Sequence, residues 1–284
     1  MMAGKLKYYF SFIVSFLFAA SLFGQDAIAD NMLVYQRSIG GWPKHINDVR
    51  VDYTKTLSEA EKATVSSDKK RNDATIDNGA TTKEIRYLLK AYKQSNNKEY
   101  LKAAENGIRY LLQMQKDNGG FPQFYPDSSS YRGQITYNDN AMINALSVLW
   151  DVANSTNGFE VVDAGLKVPA KKGVEKGIDC ILKTQITVNG KLTGWCAQHD
   201  KKTLLPVKAR AFEHASISGM ETVGIVDFLM KIEQPSAAVK NAIISAVQWL
   251  ESAKIRCYTY ADIEDKTQPK GKDRVLVKDD VSVV

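Results

Sequence analysis

The segment with the densest set of chemically active side chains covers residues 194–219, with the sequence GWCAQHDKKTLLPVKARAFEHASISG. It contains two histidines, two carboxylates and four basic residues, and it lies between two segments with helical periodicity. Long loops held on a rigid helical scaffold commonly carry sites for small molecules or sugars. We expect Arg210 to be the working residue of an active site that receives acidic side chains from earlier in the chain.

Two shorter motifs each precede a predicted helix. Residues 75–80 (TIDNGA) contain Asp77 and Asn78, and residues 135–142 (ITYNDNAM) contain Asp139. Asp and Asn are preferred N-cap residues, so helix capping is the competing explanation for each motif alone. The two acidic residues lie at equivalent places in successive repeats, however, and carboxylates with neighbouring amide oxygens are ligands suited to calcium. Because the chain has no EF-hand loop, such a site would be assembled from separated segments and left partly open for substrate.

The residues of the long segment also have structural explanations. His199 and His214 could act as general bases, but no Ser or Cys nucleophile motif accompanies them. A single loop histidine is more often a hydrogen-bonded structural residue. Arg210 could be a surface residue paired with Glu213, which would add little to stability. The residue types alone leave these alternatives open.

Repeated helical hairpins would position these motifs. The 3.6-residue period indicates three helix pairs, at residues 81–95 with 100–114, 141–152 with 170–184, and 220–231 with 237–253. Each pair ends in a break and a short aromatic, strand-like segment (residues 121–125, 192–196 and 257–260), and Thr81 with Glu84 predicts a capping box at the first helix. The internal repeat predicts an all-α fold in which three hairpins close into an α/α toroid, with the functional loops at one rim.

The N-terminus has the composition of a targeting segment. Lys5 and Lys7 precede the apolar residues 8–23, which a small and polar segment follows. This pattern predicts a secretory signal peptide at residues 1–24, followed by a single domain at residues 30–284. A membrane anchor is the alternative, but the apolar run is short and no second one follows. We therefore expect a secreted or periplasmic protein with no membrane segment in its mature form.

Composition and charge indicate which classes of partner the protein can bind. Hydrophobic residues make up 44% of the chain and charged residues 25%, which is typical of an ordinary globular protein. The formal net charge of +6 comes from scattered rather than clustered lysines, so the sequence does not predict nucleic-acid binding. A basic surface favours a polyanion such as an acidic polysaccharide. We expect a monomer, and the three cysteines have no zinc-binding spacing.

Taken together, the motifs YQRSIGGWPKH, TIDNGAT, GGFPQFYP, ITYNDNAM, GWCAQHD and KARAFEHAS resemble the pectate lyases of polysaccharide lyase family ten, over about residues 32–277. The resemblance implies an α/α toroid that cleaves polygalacturonate by β-elimination, with a proton taken from C5 of the uronate and with calcium as cofactor. It implies that Asp77 and Asn78 lie at the catalytic centre, that Asp139 joins them around calcium, and that Arg210 is the catalytic base. The implied substrate contacts are Lys44, Tyr137, His199 and Lys208, with Gln198 beside His199.

An arginine base has a consequence for pH. Calcium on the adjacent carboxylate stabilises the developing enolate, but guanidinium is normally protonated in proteins. Such a base must lose proton affinity near other cations or work at high pH, so we expect an alkaline optimum.

The resemblance also has a departure, at the C-terminus. The family pattern continues beyond a segment like residues 272–279 into an aromatic and basic stretch, whereas this sequence continues only with DVSVV. This predicts a truncated or altered C-terminus and a first alternative function, a catalytically impaired pectin-binding protein. A second alternative is a glycoside hydrolase on a similar toroid, with Asp77 and Asp139 in acid and base roles. A repeat-built protein-binding scaffold is a third.

Overall fold

The computed structural model of the chain describes residues 26–283. The predicted signal peptide at residues 1–24 lies outside the described residues. Within residues 26–283, no helix combines the length and the apolar character that crossing a membrane requires.

Eight α-helices are the main elements of the fold within the described residues. They are α1 (Ala27–Tyr35), α2 (Glu59–Ser67), α3 (Thr82–Ser95), α4 (Lys98–Met114), α5 (Ala141–Asn154), α6 (Lys167–Thr184), α7 (Gly219–Leu229) and α8 (Ala237–Ala253) within the described residues. The three predicted hairpins are α3 with α4, α5 with α6, and α7 with α8. The predicted α/α toroid of helical hairpins is confirmed.

The strands are short, apart from one hairpin near the C-terminus. They are β1 (His45–Ile46), β2 (Val49–Arg50), β3 (Ile135–Thr136), β4 (Thr187–Val188), β5 (Lys191–Leu192), β6 (Gln198–His199), β7 (Arg256–Glu264) and β8 (Lys272–Val283). Strands β1 and β2, β3 and β6, β4 and β5, and β7 and β8 pair antiparallel. The predicted aromatic strand at residues 121–125 forms only isolated bridges, from Phe124 to Thr75 and from Pro122 to Ile135. Residues 257–260 belong to a longer strand than expected, because β7 pairs with β8 along most of its length.

A glutamine closes the same turn three times. Gln36, Gln115 and Gln185 are the C-cap residues of α1, α4 and α6. Each side-chain amide donates to one carbonyl across the following loop and to one carbonyl of the next outer helix: Gly40 and Ala103 for Gln36, Gly119 and Gly173 for Gln115, and Thr193 and Ala242 for Gln185. The structural repeat therefore starts at α1, one helix earlier than the hairpins indicate.

The predicted capping box at Thr81 and Glu84 is wrong. The Thr81 hydroxyl donates to the Thr75 carbonyl and accepts from the Trp42 backbone N–H, so it is not free to cap α3. Glu84 is 1% exposed and accepts a hydrogen bond from the Tyr53 hydroxyl, and burial raises the pKa of Glu84 to about 7. A tertiary contact has replaced the local one.

A contact like that between Trp42 and Thr81 recurs two hairpins later, at the start of α7. The fully buried Trp195 donates its backbone N–H to the Thr222 hydroxyl and its indole N–H to the carbonyl of Ile181. The indole of Trp42 likewise donates to the carbonyl of Met32. These bonds fix the loops that follow α1 and α6 against the starts of α3 and α7, where the candidate site lies.

Candidate active site

A cleft of about 210 Å³ lies where the loops before α3 and α5 meet the segment that follows β6. It brings together the predicted residues Asp77, Asn78, Asp139, Arg210 and Lys44. The remaining lining residues of the cleft are His45, Gln123, Phe124, Tyr131, Arg132, Asn138, Gln198 and Glu213.

Two equivalent 3₁₀ turns supply the acidic side chains. Asp77–Gly79 precedes α3 and Asn138–Asn140 precedes α5, and their second residues, Asn78 and Asp139, have positive φ angles of 49° and 52°. Asn and Asp tolerate this left-handed region better than most residues, because their short polar side chains bond locally. Neither Asp77 nor Asp139 caps a helix. The capping alternative is therefore not what the structure shows.

One amide joins the two turns. Asn78 Nδ2 donates to Asp77 Oδ1 at 2.9 Å and to Asp139 Oδ2 at 3.1 Å. Asn138 Nδ2 also donates to Asp139 Oδ2, at 2.7 Å. The carboxylates of two separate repeats therefore lie on either side of a single amide group, although Asp77 is the first residue of its turn and Asp139 the second residue of the other.

Long-range backbone bonds hold both turns in place. The Ile76 N–H donates to the Gln123 carbonyl, and the N–H groups of Tyr137 and Asn138 both donate to the Ala197 carbonyl. Because β3 pairs with β6, the second turn lies directly against the segment that leads to Arg210. The loops of three repeats are thus connected by main-chain bonds around the cleft.

Lys44 neutralises part of the acidic charge. Its Nζ lies 2.6 Å from Asp77 Oδ2, and both side chains are largely buried. Burial by itself raises the pKa of Asp77, but the hydrogen bonds from Lys44 and Asn78 and the charge of Lys44 outweigh it and bring the pKa below its usual value. Asp77 is therefore ionised at neutral pH.

The donor set fits calcium only in part. Carboxylate and amide oxygens are the ligands that calcium prefers, and Asp77 with Asp139 would supply two carboxylates. Among residues 26–283 there is no group of three or more His, Cys, Asp or Glu side chains placed to hold a metal ion. The protein side chains therefore fit a calcium ion that takes its remaining ligands from water or a substrate carboxylate.

Arg210 lines the cleft and forms an ion pair with Glu213. Its Nε lies 2.8 Å from Glu213 Oε2 and its Nη2 contacts Glu213 Oε1, which makes the pair bidentate. The Arg210 guanidinium also lies over the Phe212 ring, with 4.9 Å between its central carbon and the ring centroid. The hydrogen bonds and charge of Glu213 raise the pKa of Arg210 above its ordinary value. In this arrangement Arg210 is a cation.

The structure does not bring three of the predicted substrate contacts to the cleft. Tyr137 and His199 have no exposed surface. The Tyr137 hydroxyl bonds Thr184 Oγ1, while His199 Nδ1 donates to the Leu204 carbonyl and Nε2 accepts from the Cys196 N–H. Burial lowers the pKa of His199, so the ring is neutral and holds the loop rather than a sugar. Lys208 is exposed on the Arg210 loop but does not line the cleft.

Two glutamines in the cleft have side-chain oxygens placed to bind a ligand. Gln123 and Gln198 are 7% and 4% exposed, and the Oε1 atom of each is buried without a hydrogen-bond partner in the described structure. An unpaired buried acceptor is costly, so a ligand or water donor is expected at both atoms. Gln123 was missed; the available signal was a polar side chain inside the aromatic segment FPQFY.

Comparison with known proteins identifies relatives with the same architecture. One is a family 10 polysaccharide lyase from Cellvibrio cellulosa, similar with a TM-score of 0.72 and 37% sequence identity over 82% of this chain and 69% of that one. Another is a mutant of a family 10 polysaccharide lyase from the same organism in complex with trigalacturonic acid, with a TM-score of 0.77 and 35% identity over 90% and 75% of the two chains. A search of curated protein sequences finds no match.

The sequence itself matches the same group of enzymes. A profile of the pectic acid lyase family aligns with residues 36–284, which include every lining residue of the cleft. The motifs that carry the resemblance in the sequence are those that form the cleft. The chain therefore belongs to the pectic acid lyase family and is a pectate lyase of polysaccharide lyase family ten.

Proposed function

We propose that the protein cleaves polygalacturonate by calcium-dependent β-elimination in this cleft, with Arg210 as the base. The observation that supports it most is the single cleft in which the Asn78 amide joins Asp77 to Asp139 and in which Arg210 is also found. The trigalacturonic acid bound by the Cellvibrio cellulosa mutant supports an acidic oligosaccharide as ligand. The basic side chains Lys44 and Arg132 suit the carboxylates of such a substrate.

The proposed reaction breaks two bonds on neighbouring carbons. Arg210 removes the C5 proton of a galacturonate unit, the C–H electron pair forms a double bond between C4 and C5, and the bond from C4 to the glycosidic oxygen breaks. The leaving oxygen takes a proton from water. A calcium ion held by Asp77 and Asp139 would neutralise the uronate carboxylate and so make the C5 proton more acidic.

The ion pair between Arg210 and Glu213 affects how easily Arg210 can act as a base. Arg210 must be neutral to accept a proton, and Glu213 raises its pKa, so the neutral form is scarce at neutral pH. Because the neutral fraction grows as the pH rises toward that pKa, the rate should rise on the alkaline side. An optimum at neutral or acidic pH would contradict Arg210 as base.

The other cleft residues are assigned to binding. Lys44 holds Asp77 in place and offers a charge to the substrate, and the unpaired oxygens of Gln123 and Gln198 accept hydrogen bonds from sugar hydroxyls. Lys208 lies on the Arg210 loop and remains a predicted substrate contact. The predicted signal peptide supports export to the periplasm or the medium, where polymeric pectin is accessible, and we propose that the exported enzyme is a monomer.

Arg210→Ala tests the proposal, with Arg109→Ala as the matched control. Arg109 is also exposed and paired with a carboxylate, Asp163 at 3.2 Å, but it does not line the cleft. Loss of a general base lowers the rate by about 100-fold or more. We expect that loss of unsaturated product for Arg210→Ala and wild-type rates for Arg109→Ala. Near-normal production of unsaturated ends by Arg210→Ala would refute the proposed base, and reducing ends without unsaturation would indicate a hydrolase.

A further inference from the structure

A second concave space of about 430 Å³, here called the second lobe, adjoins the cleft at Glu213. Asn138, Gln198 and Glu213 line both spaces, so a polymer bound in the cleft can continue into the second lobe. The lobe is large enough for at least one more sugar ring. The residues that line the second lobe determine which kind of sugar it can bind.

The walls of the second lobe suit a sugar ring. Phe212 is 71% exposed and presents a large apolar surface. Ser216 and His214 offer polar partners, and the buried Gln198 Oε1 has no hydrogen-bond partner in the described residues. A concave site with one aromatic face and a few convergent polar groups is typical of small-ligand binding.

The second lobe lacks the basic side chains that accompany the carboxylates of the cleft. Lys44, Arg132 and Arg210 line the cleft, whereas none of the described residues lining the second lobe is a lysine or an arginine. Its two carboxyl groups belong to Glu213, which Arg210 neutralises, and to Glu221. Glu221 is 6% exposed, accepts a hydrogen bond from Ser218 Oγ, and forms no ion pair within residues 26–283.

We propose that the second lobe binds a methyl-esterified galacturonate unit next to the acidic unit in the cleft, and that Glu221 selects against a free carboxylate there. A like charge that is not compensated in a concave site disfavours the wrong partner. When Arg210 becomes neutral, Glu213 would add a second uncompensated carboxylate to the same wall. This assignment rests on the proposed function, because it concerns the substrate of the same cleft.

Glu221→Gln tests the assignment, with Glu233→Gln as the matched control. Both changes remove one carboxylate and preserve the shape of the side chain, but Glu233 is exposed and outside the second lobe. The measured quantity is kcat/KM for polygalacturonate divided by kcat/KM for partially methyl-esterified pectin. We expect Glu221→Gln to raise this ratio about tenfold and Glu233→Gln to leave it at the wild-type value. A wild-type ratio in a folded Glu221→Gln variant would overturn the assignment.

A measurement on the wild-type enzyme does not depend on the variant folding. Mass spectrometry of the products from partially esterified pectin should show methyl esters enriched at a fixed position counted from one of the two new chain ends. A random distribution would overturn the assignment alone, since cleavage would still have occurred. Absence of unsaturated product from both substrates would overturn the proposed function, and this assignment with it.

Discussion

Replacing Gln185 with alanine should destabilise the protein more than the same replacement of a glutamine that lies outside the repeated turns. Gln185 is 8% exposed, and its amide donates to the Thr193 carbonyl at 2.7 Å and to the Ala242 carbonyl at 2.9 Å. It therefore joins the end of α6 to its own loop and to α8. The change removes both hydrogen bonds, each worth about 0.5–1.5 kcal/mol.

The expected loss in the free energy of unfolding is roughly 1–3 kcal/mol, toward the lower end if water replaces the amide at the Thr193 carbonyl. Urea denaturation would measure it as a lower midpoint with an unchanged slope. Gln113→Ala on the exposed side of α4 is the control and should stay within about 0.5 kcal/mol of wild type. A loss below about 0.5 kcal/mol for Gln185→Ala would refute the view that these glutamines hold the repeats together.

Three further changes address the site. Glu213→Gln should move the alkaline rise of the cleavage rate to lower pH, because the pKa of Arg210 falls without the carboxylate; an unchanged pH–rate profile would count against the pair. Asp139→Asn should raise the calcium concentration for half-maximal rate about tenfold or more, and a wild-type value would remove Asp139 from the metal site. Gly224→Ala should lower the free energy of unfolding, measured by urea denaturation, by about 1–3 kcal/mol, because its methyl group would lie 1.9 Å from Asn140 Oδ1. Wild-type stability would show that the Asn140 turn can move aside.

The helices were predictable because their signals are local. The apolar period through Ile85, Leu88 and Leu89 marks the buried face of α3, and helix α8 has the predicted bounds of residues 237–253. Asn96 and Asn97 mark the end of α3 and the start of α4, where they are the cap residues. Periodicity and breakers depend on neighbouring residues, so no tertiary information was needed.

The details of the site depend on contacts between distant segments, which the sequence pattern does not contain. Thr81 has the residue type of a helix cap, but its hydroxyl accepts a hydrogen bond from the backbone N–H of Trp42, which is distant in the sequence. Similarly, His199 resembles a sugar contact in the motif, whereas pairing of β6 with β3 turns it into the interior. The carboxylates were easier to place, since the repeat itself puts Asp77 and Asp139 at equivalent turns.

The pairing of Arg210 with Glu213 is compatible with both explanations of this arginine. From its sequence, Arg210 could be a catalytic residue or a surface residue paired with Glu213, and the structure contains the ion pair at the edge of the cleft. The side chains are partly exposed, so the pair adds little to stability. Its consequence is chemical: it keeps the proposed base protonated until the pH is high or the pair is broken.

The most direct test of the account is the ultraviolet absorbance of polygalacturonate during incubation with the purified protein, first with calcium, then with a chelator, and then with calcium restored. We expect absorbance from unsaturated chain ends to rise with calcium, to stop with the chelator and to resume when calcium returns. New reducing ends without absorbance, formed regardless of the chelator, would contradict eliminative cleavage. No new ends at all, from a folded protein that still binds the polymer, would contradict catalysis and favour a pectin-binding protein.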